Sequence, residues 1–360
     1  METNQLRRIE GMMKKKTKSK AWDPRRLLGT GSKLLNLACS DTPDGGFLKG
    51  SYILIVGDTD AGKTWFSLSC MAEATLNPRF KDYRFIYDGG EYGALMDLGR
   101  YFGTEMERRF EQPPRGPSRF VEDFYYNADD AIEDGRPFIY VQDSMDVLEH
   151  TADEEQFQKK KKNARAAKKK KVTGSFSMDK PKTNSMLLRQ LQSKLKPTGS
   201  ILIIISQTRD NIGFGHATRT RAGGRALSFY ADVEIWLKKI GRISKDYRGK
   251  KRLIGNKIEV EVNRTRLTGK KHKIHVPIFH SIGIDDLGSC IDFLVEEKHW
   301  KSTNGNIRVP EFKFKGTKEA LIHRIEDRNL EKDFGDIVGE VWMDIAKATE
   351  VVRKPRYSKE

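Results

Sequence analysis

The sequence predicts an α/β protein built on a mostly parallel, doubly wound sheet, with a small α/β module at its C-terminal end. Three observations carry this. First, four short runs, YILIVG (52–57), YRFIYD (83–88), PFIYVQD (137–143) and SILIIIS (200–206), are almost continuously apolar, the pattern of parallel strands buried on both faces. Second, helical stretches at 63–76, 92–102 and 184–195 lie between them, and strand–helix alternation gives a parallel sheet with helices on both faces. Third, the first run leads directly into GDTDAGKT (57–64), a glycine-rich loop that opens a helix.

Taken in order, residues 1–26 are basic and polar and read as a partly helical N-terminal arm, either disordered or docked on a neighbouring subunit. The core is expected over 27–285. Within it, 149–182 is nearly free of large apolar groups and holds two blocks of four lysines with Arg165 between them. Such a segment cannot bury enough surface to fold alone, so it reads as a long loop hung between core elements, and loops of that length are usually functional. Further on, DVEIWLKKI and KIEVEVNRT alternate apolar and polar residues and read as half-exposed edge strands. The module at 286–350 contains CIDFLVEEKHW, IRVPEFKFKG, KEALIHRIED and FGDIVGEVWMDIAKA, and 351–360 is a tail.

Composition narrows the partners. Of 360 residues, 37% are hydrophobic and 32% charged; 67 Lys and Arg outweigh 50 Asp and Glu, a net charge of +17. That balance favours a polyanion, nucleic acid before membrane. Cys39, Cys70 and Cys290 are far apart and form no CxxC pair, which argues against a disulfide framework or a structural metal and fits a reducing compartment. No signal-like apolar core opens the chain, and no apolar run approaches the ~20 residues that span a bilayer. A cytoplasmic protein is expected.

The chemistry is concentrated at strand ends. GDTDAGKT fits the phosphate-loop pattern G-x-x-x-x-G-K-[ST] between a strand and a helix, the context that the pattern requires. Gly57 and Gly62 let backbone N–H groups approach phosphate oxygens, with Asp58, Thr59, Asp60, Ala61 and Trp65 completing the nucleotide-binding stretch. Lys63 supplies charge to the β- and γ-phosphates, the Thr64 hydroxyl can ligate Mg²⁺, and the helix adds its positive end. Asp143 emerges at the end of a buried strand, where a carboxylate is costly unless something holds it, and is the expected partner of the metal. In YDGGEYGAL, either Glu91 or Asp88 could polarise an attacking water. Gln207 ends another apolar strand, where an amide can sense the γ-phosphate. It is followed by Arg209, Phe214, Arg219, Arg221, Gly223, Gly224 and Arg225 over 208–225, a mixture of flexible backbone, cations and an apolar wedge suited to single-stranded nucleic acid. The lysine blocks, Lys168 and Lys169 among them, add charge. His272 and His275 fall on opposite faces of a strand and show no metal-ligand spacing.

These stretches together resemble the RecA family of DNA recombinases. The resemblance begins at TGSKLLNLACSDTPDGGFLKGSYILIVGDTDAGKT and continues through DGGEYGALMDLGRYFG, VQDSMDVL, LIIISQTRDNIGFG and AGGRALSFYADVEIWLKKI. It extends through VEVNRTRL to GIDDLGSCIDFLVEEKHW, covering about residues 27–350. GGRALSFYADV is its most specific part. The resemblance implies a RecA-like P-loop ATPase core that uses ATP and Mg²⁺, with Lys63 and Thr64 on phosphate and metal, and Asp143 supporting the metal with Ser144 following it. Glu91 would be the water-activating carboxylate and Gln207 the switch at the base of a second DNA-binding loop, 208–225. The basic segment 150–183 would stand in place of the first. Arg264 and Arg266 would reach the γ-phosphate of the adjacent subunit, so that ATP lies between protomers of a helical filament.

The chain departs from the family pattern in places. DGGE has one residue more than usual before the glutamate; Leu95 and Leu98 fall where an aspartate and a tyrosine would hold adenine, with Asp97 nearby; arginines replace lysines at 264 and 266, retaining charge and gaining bidentate geometry. The unusually long, basic first loop points to a viral or phage recombinase, working then in the host-cell cytoplasm. The expected activity is DNA-dependent ATP hydrolysis coupled to strand exchange between single-stranded and double-stranded DNA. The alternatives are a ring helicase on the same core, or an ATP-switched mediator or annealing protein that binds single-stranded DNA.

Overall fold

In a computed structural model of the chain, the described residues are 22–89, 96–151, 154, 158, 161, 179–211, 218–221 and 224–353. The arm at 1–21, Glu91, Leu95, Lys168, Lys169, Phe214 and Gly223 lie outside them. A 3₁₀ turn at Pro24–Arg26, capped by Asp23, leads into a small antiparallel pair, β1 (Leu27–Leu28) and β2 (Phe47–Leu48). Helix α1 (Lys33–Ser40) lies between them, its first turn capped by the Ser32 hydroxyl.

The main sheet begins with β3 (Tyr52–Gly57), which feeds α2 (Lys63–Leu76), then β4 (Arg84–Gly89), α3 (Leu98–Phe102), α4 (Thr104–Arg109) and β5 (Phe110–Glu111). Next come α5 (Val121–Glu133), β6 (Phe138–Asp143), α6 (Asp179–Thr198), β7 (Ile201–Asn211), β8 (Thr218–Arg221) and α7 (Gly224–Tyr230). Two long strands, β9 (Val233–Tyr247) and β10 (Lys250–Thr265), are followed by β11 (His272–Phe279) and β12 (Gly283–Ile284). The strand order is β12-β11-β10-β9-β3-β7-β6-β4-β5, with β8 paired to β7. From β9 to β5 every neighbour is parallel, and from β9 outward to β12 the pairs are antiparallel. The α/β class and the mostly parallel core sheet expected from the apolar runs are both present.

The doubly wound character follows from strand alternation. On one face Ile53, Ile55, Phe85, Val141 and Ile203 pack with α1 and α2 in one apolar cluster. On the other, Leu54, Val56, Ile86, Tyr140 and Ile204 pack with α5, α6 and α7. Successive side chains of a strand point to opposite faces, so runs buried throughout require cover on both sides.

After β12 the chain forms α8 (Asp286–Glu296), a three-stranded antiparallel sheet of β13 (Lys301–Thr303), β14 (Asn306–Val309) and β15 (Phe314–Gly316), then α9 (Lys318–Asp327) and α10 (Glu331–Ala348). Ile291, Leu294, Trp300, Phe334 and Trp342 join the same apolar cluster as the α1 side of the core. Polar ties reinforce the packing: Lys33 Nζ donates to Asp286 Oδ2 at 2.6 Å and Trp342 Nε1 to Asp41 Oδ1 at 3.2 Å. Among the described residues no helix is long and apolar enough to cross a membrane.

Candidate nucleotide site

The phosphate loop leaves the carboxyl end of β3 and turns into α2. Gly57 and Gly62 are required by space and by backbone. A Cβ at Gly57 would stand 2.8 Å from the Leu237 carbonyl oxygen. Gly62, the residue before α2, has φ +85°, and a Cβ there would meet Ile278 Cδ1 at 2.4 Å. No side chain caps the start of α2, so its first N–H groups, which have no intrahelical partner, face the loop without a competing acceptor from a cap. That is the donor set an anion needs at a helix N-terminus.

Lys63, buried at the first position of α2, donates to the carbonyls of Gly57 at 3.0 Å and Asp58 at 2.7 Å. Burial lowers its pKa, opposed by the carboxylates of Asp143, Asp58, Asp146 and Asp60. The ammonium is held inside the loop's own curve, within reach of a phosphate that takes the place of those carbonyls. Thr64 Oγ1 donates to Asp143 Oδ2 at 2.7 Å, and the Tyr87 hydroxyl donates to the same oxygen at 2.8 Å. Asp143 is the last residue of β6, so the sheet brings a hydroxyl and a carboxylate to one point beside the loop. A hydroxyl, a carboxylate and several waters are the donor set that Mg²⁺ takes at phosphate sites, and the residues present fit that ion. The Asp143–Ser144 peptide is cis.

A cavity of about 410 Å³ adjoins the loop, lined by residues 60–65 and by Lys239, Asn256, Ile278 and His280. Trp65 lines it too, while its ring packs on Tyr101 and Phe102 at centroid distances of 5.1 and 5.3 Å. The Asn256 Oδ1 atom is buried there without a hydrogen-bond partner among the described residues. An orphaned acceptor of this kind is costly unless a ligand or water serves it, and a nucleotide's sugar or base amino group would do so. Nothing in the sequence singled out Lys239, Asn256 or His280, because they come from strands β9, β10 and the β11–β12 turn, far from the loop along the chain.

Gln207 is brought beside the loop by register, since it pairs with Gly57 across β3 and β7. Its N–H donates to Asp146 Oδ2 at 2.5 Å, and the hydroxyl of the next residue, Thr208, donates to Asp58 Oδ1. The segment expected as a loop over 208–225 is partly regular: 208–211 and 218–221 form an antiparallel ribbon in which Thr208 pairs with Arg221, and α7 starts at Gly224. Arg209, Arg219, Arg221 and Arg225 are thus placed on a ribbon and at a helix start.

Asp88 has a different setting from Glu91's expected one. It is fully buried on the α5 side of the sheet and accepts from Ser118 N at 2.9 Å, Ser118 Oγ at 2.5 Å and Tyr140 OH at 2.6 Å. Burial raises its pKa, against the pull of these donors. It pins the 113–120 segment to the end of β4.

Comparison with known proteins places this geometry. A family model described as the RecA N-terminal domain matches residues 167–285. The chain is 27% identical over 275 residues to Protein RecA of Bartonella bacilliformis, covering 75% of this chain and 70% of that protein. It is 28% identical over 285 residues to Protein RecA of Cytophaga hutchinsonii, covering 75% and 68%. For Protein RecA of Xanthomonas axonopodis pv. citri the figures are 26% over 285 residues, 76% and 72%. Over about three quarters of its length the chain is thus similar to these RecA proteins.

Within the core, Arg264 and Arg266 lie at the far end of the sheet from the phosphate loop. Arg264 pairs with Glu234, which pairs with Leu54, three residues upstream of Gly57, or ~10 Å at ~3.3 Å per residue. Their guanidinium groups donate to the Ser228 and Phe229 carbonyls, and Arg266 adds an ion pair with Asp232 at 3.2 Å. Asp97, near the expected adenine contacts, caps α3 by accepting from Arg100 N at 2.9 Å, and Leu98 packs against the core.

Proposed function

We propose that the chain is an ATP-dependent DNA recombinase that forms a helical filament on single-stranded DNA and promotes pairing and strand exchange with double-stranded DNA. One observation carries this reading. The phosphate loop and the strand that enters the second loop are adjacent in register at Gly57 and Gln207, and are tied by the Thr208–Asp58 hydrogen bond. A change at the phosphates therefore acts on the base of the ribbon that bears Arg209, Arg219 and Arg221, with Phe214 and Gly223 in the connecting stretches.

In this reading ATP with Mg²⁺ supplies the phosphoryl transfer that resets the grip on DNA. Lys63 neutralises the β- and γ-phosphates, and Thr64 with Asp143 holds the ion. Glu91 takes the proton from the attacking water, and Gln207 donates to the terminal phosphate. Gly57 through Trp65 form the cradle. Arg264 and Arg266, too far from their own chain's loop, stabilise the phosphates of the neighbouring copy. A site completed by a second copy in head-to-tail fashion, without closure, generates a filament. The core at 27–285 carries ATP and the DNA loops, Lys168 and Lys169 add nonspecific phosphate contacts, and the module at 286–350 packs behind it.

The test is strand exchange between a single strand and a homologous duplex. Wild type exchanges strands with ATP and Mg²⁺, and Lys63→Ala does not. Unwinding of a forked duplex without exchange would move the assignment to a helicase, and annealing without ATP turnover to a mediator.

A further inference from the structure

We propose that Asp88, Ser118 and Gln142 form a switch that carries the state of the first basic segment, 150–183, to the end of β4, where Glu91 follows three residues after Asp88. The switch rests on the function proposed above and adds a route between DNA and nucleotide, separate from that of Thr208 and Asp58.

Gln142 is out of keeping with its surroundings. It follows Phe138–Val141 in β6 and is fully buried, yet among the described residues neither its amide oxygen nor its amide nitrogen has a hydrogen-bond partner. A buried donor and acceptor left unmade both cost stability, and a leucine of similar volume would remove that cost. A second arrangement that uses the amide accounts for its presence.

Register shows what the amide reaches. Gln142 is paired with Asp88 across β6 and β4, on strands ~4.8 Å apart whose in-register side chains share a face. Asp88 is fully buried there and is held by Ser118 N at 2.9 Å, Ser118 Oγ at 2.5 Å and Tyr140 OH at 2.6 Å. Tyr140 lies on the same strand as Gln142, so its bond stays; the two from Ser118 are the ones that can be given up. A rotation about the Gln142 side-chain bonds brings Nε2 to the oxygen that Ser118 releases. The carboxylate then keeps donors in both arrangements, as a buried two-state element requires.

Ser118 is tied in turn to the start of the first basic segment. Glu149 N donates to the Arg119 carbonyl at 3.2 Å, and Val121 N donates to the Glu149 carbonyl at 2.9 Å. Arg119 Nη2 stands 4.0 Å from the carboxylates of both Glu149 and Glu154, and Thr151 Oγ1 donates to Glu122 Oε2 at 3.0 Å. Asn127 Nδ2 donates to Ser118 Oγ at 3.0 Å, which leaves the hydroxyl proton for Asp88. A strand gripped by the lysines beyond 154 therefore pulls on 149–154, through them on Arg119–Val121, and so on Ser118. Without DNA, Ser118 holds Asp88 and the end of β4. With DNA, Ser118 withdraws, Gln142 takes Asp88, and the shifted end of β4 sets Glu91 against its water.

The experiment takes the full chain, Gln142→Leu, Ser118→Ala and the double variant. It measures ATP turnover with and without single-stranded DNA, single-strand affinity, and the urea midpoint of unfolding. Gln142→Leu should unfold at a higher urea midpoint than wild type, since the orphaned amide is gone. It should nevertheless lose about tenfold in stimulation by single strand, with unstimulated turnover and single-strand affinity within about twofold of wild type. Ser118→Ala should act in the opposite sense, freeing Asp88 for Gln142 without DNA and raising unstimulated turnover toward the stimulated rate. Its loss in urea midpoint should be larger in the Gln142→Leu background than in wild type, where a donor stands in reserve. A merely structural role gives neither the gain in stability nor the gain in turnover. Wild-type stimulation in Gln142→Leu would overturn the switch, and so would unchanged unstimulated turnover in Ser118→Ala or additive midpoints in the double variant. Absence of single-strand-stimulated turnover in wild type would instead count against the function proposed above, and the midpoints would still judge the exchange between Ser118 and Gln142.

Discussion

The Thr208 hydroxyl on Asp58 spans 150 residues of sequence, and it joins the phosphate-loop motif to β7, the strand proposed to lead into the DNA-binding segment. Phosphate beside Asp58 strengthens the carboxylate as an acceptor, so nucleotide binding should tighten the tie, and by reciprocity DNA should raise nucleotide affinity. A hydrogen bond to a charged group is worth ~1.5–3 kcal/mol. Thr208→Val, which keeps shape and loses the hydroxyl, should lower by about tenfold the ratio of single-strand affinities with a non-hydrolysable ATP analogue and with ADP, as titrations would show. Tyr87 supports Asp143 from the other side. Outer partners of metal ligands typically contribute 10–100-fold in metal affinity, so Tyr87→Phe should raise the Mg²⁺ needed for half-maximal turnover by about tenfold, with ATP saturating. Lys63, Thr64 and Asp143 were legible because a motif or a strand end marks each. Tyr87, Asp146 and Thr208 were not, since their roles depend on which strands become neighbours. Glu91, Phe214, Lys168 and Lys169 rest on the resemblance and on local sequence alone.

At the scale of elements, β3 and α2 match their apolar and helical patterns residue for residue, and β4, β6 and β7 begin one residue after theirs. Their signal is strong because burial on both faces makes each run almost continuously apolar. The far ends are weaker. β7 runs on to Asn211, beyond its apolar part, because β8 supplies a pairing partner that no pattern announces. The reach of β9 and β10 was hidden for the same reason: over 244–253 the strands satisfy each other's backbone without burying side chains. Helix α8 is fixed by packing, with Ile291 and Leu294 fully buried. Leu294→Ala should cost ~2–5 kcal/mol, read as a lower urea midpoint at an unchanged denaturant slope. Cys39, Cys70 and Cys290 are buried, and burial raises the pKa of each thiol. All three should resist a thiol reagent in the native protein and react together on unfolding, since the thiolate is the reactive form.

For the whole molecule, Arg264 and Arg266 stand at the opposite end of the sheet from their own phosphate loop, and in the proposed filament they would complete the site of a neighbouring copy. Arg264→Ala should lower DNA-stimulated turnover by at least about tenfold, the range that a positioned cation contributes to phosphoryl transfer being larger still. Mixing Arg264→Ala with Lys63→Ala should restore part of the turnover, because one interface type in the mixture then pairs an intact loop with an intact arginine. The net charge of +17 predicts binding that weakens steeply with salt. The central claim is that the nucleotide site and the DNA-binding edge act as one device. Its most direct test is ATP turnover by the full chain with Mg²⁺, measured with and without single-stranded DNA at fixed salt. The account predicts slow turnover alone and a strong rise, about tenfold or more, when single strand is added. The same rate with and without DNA would contradict it.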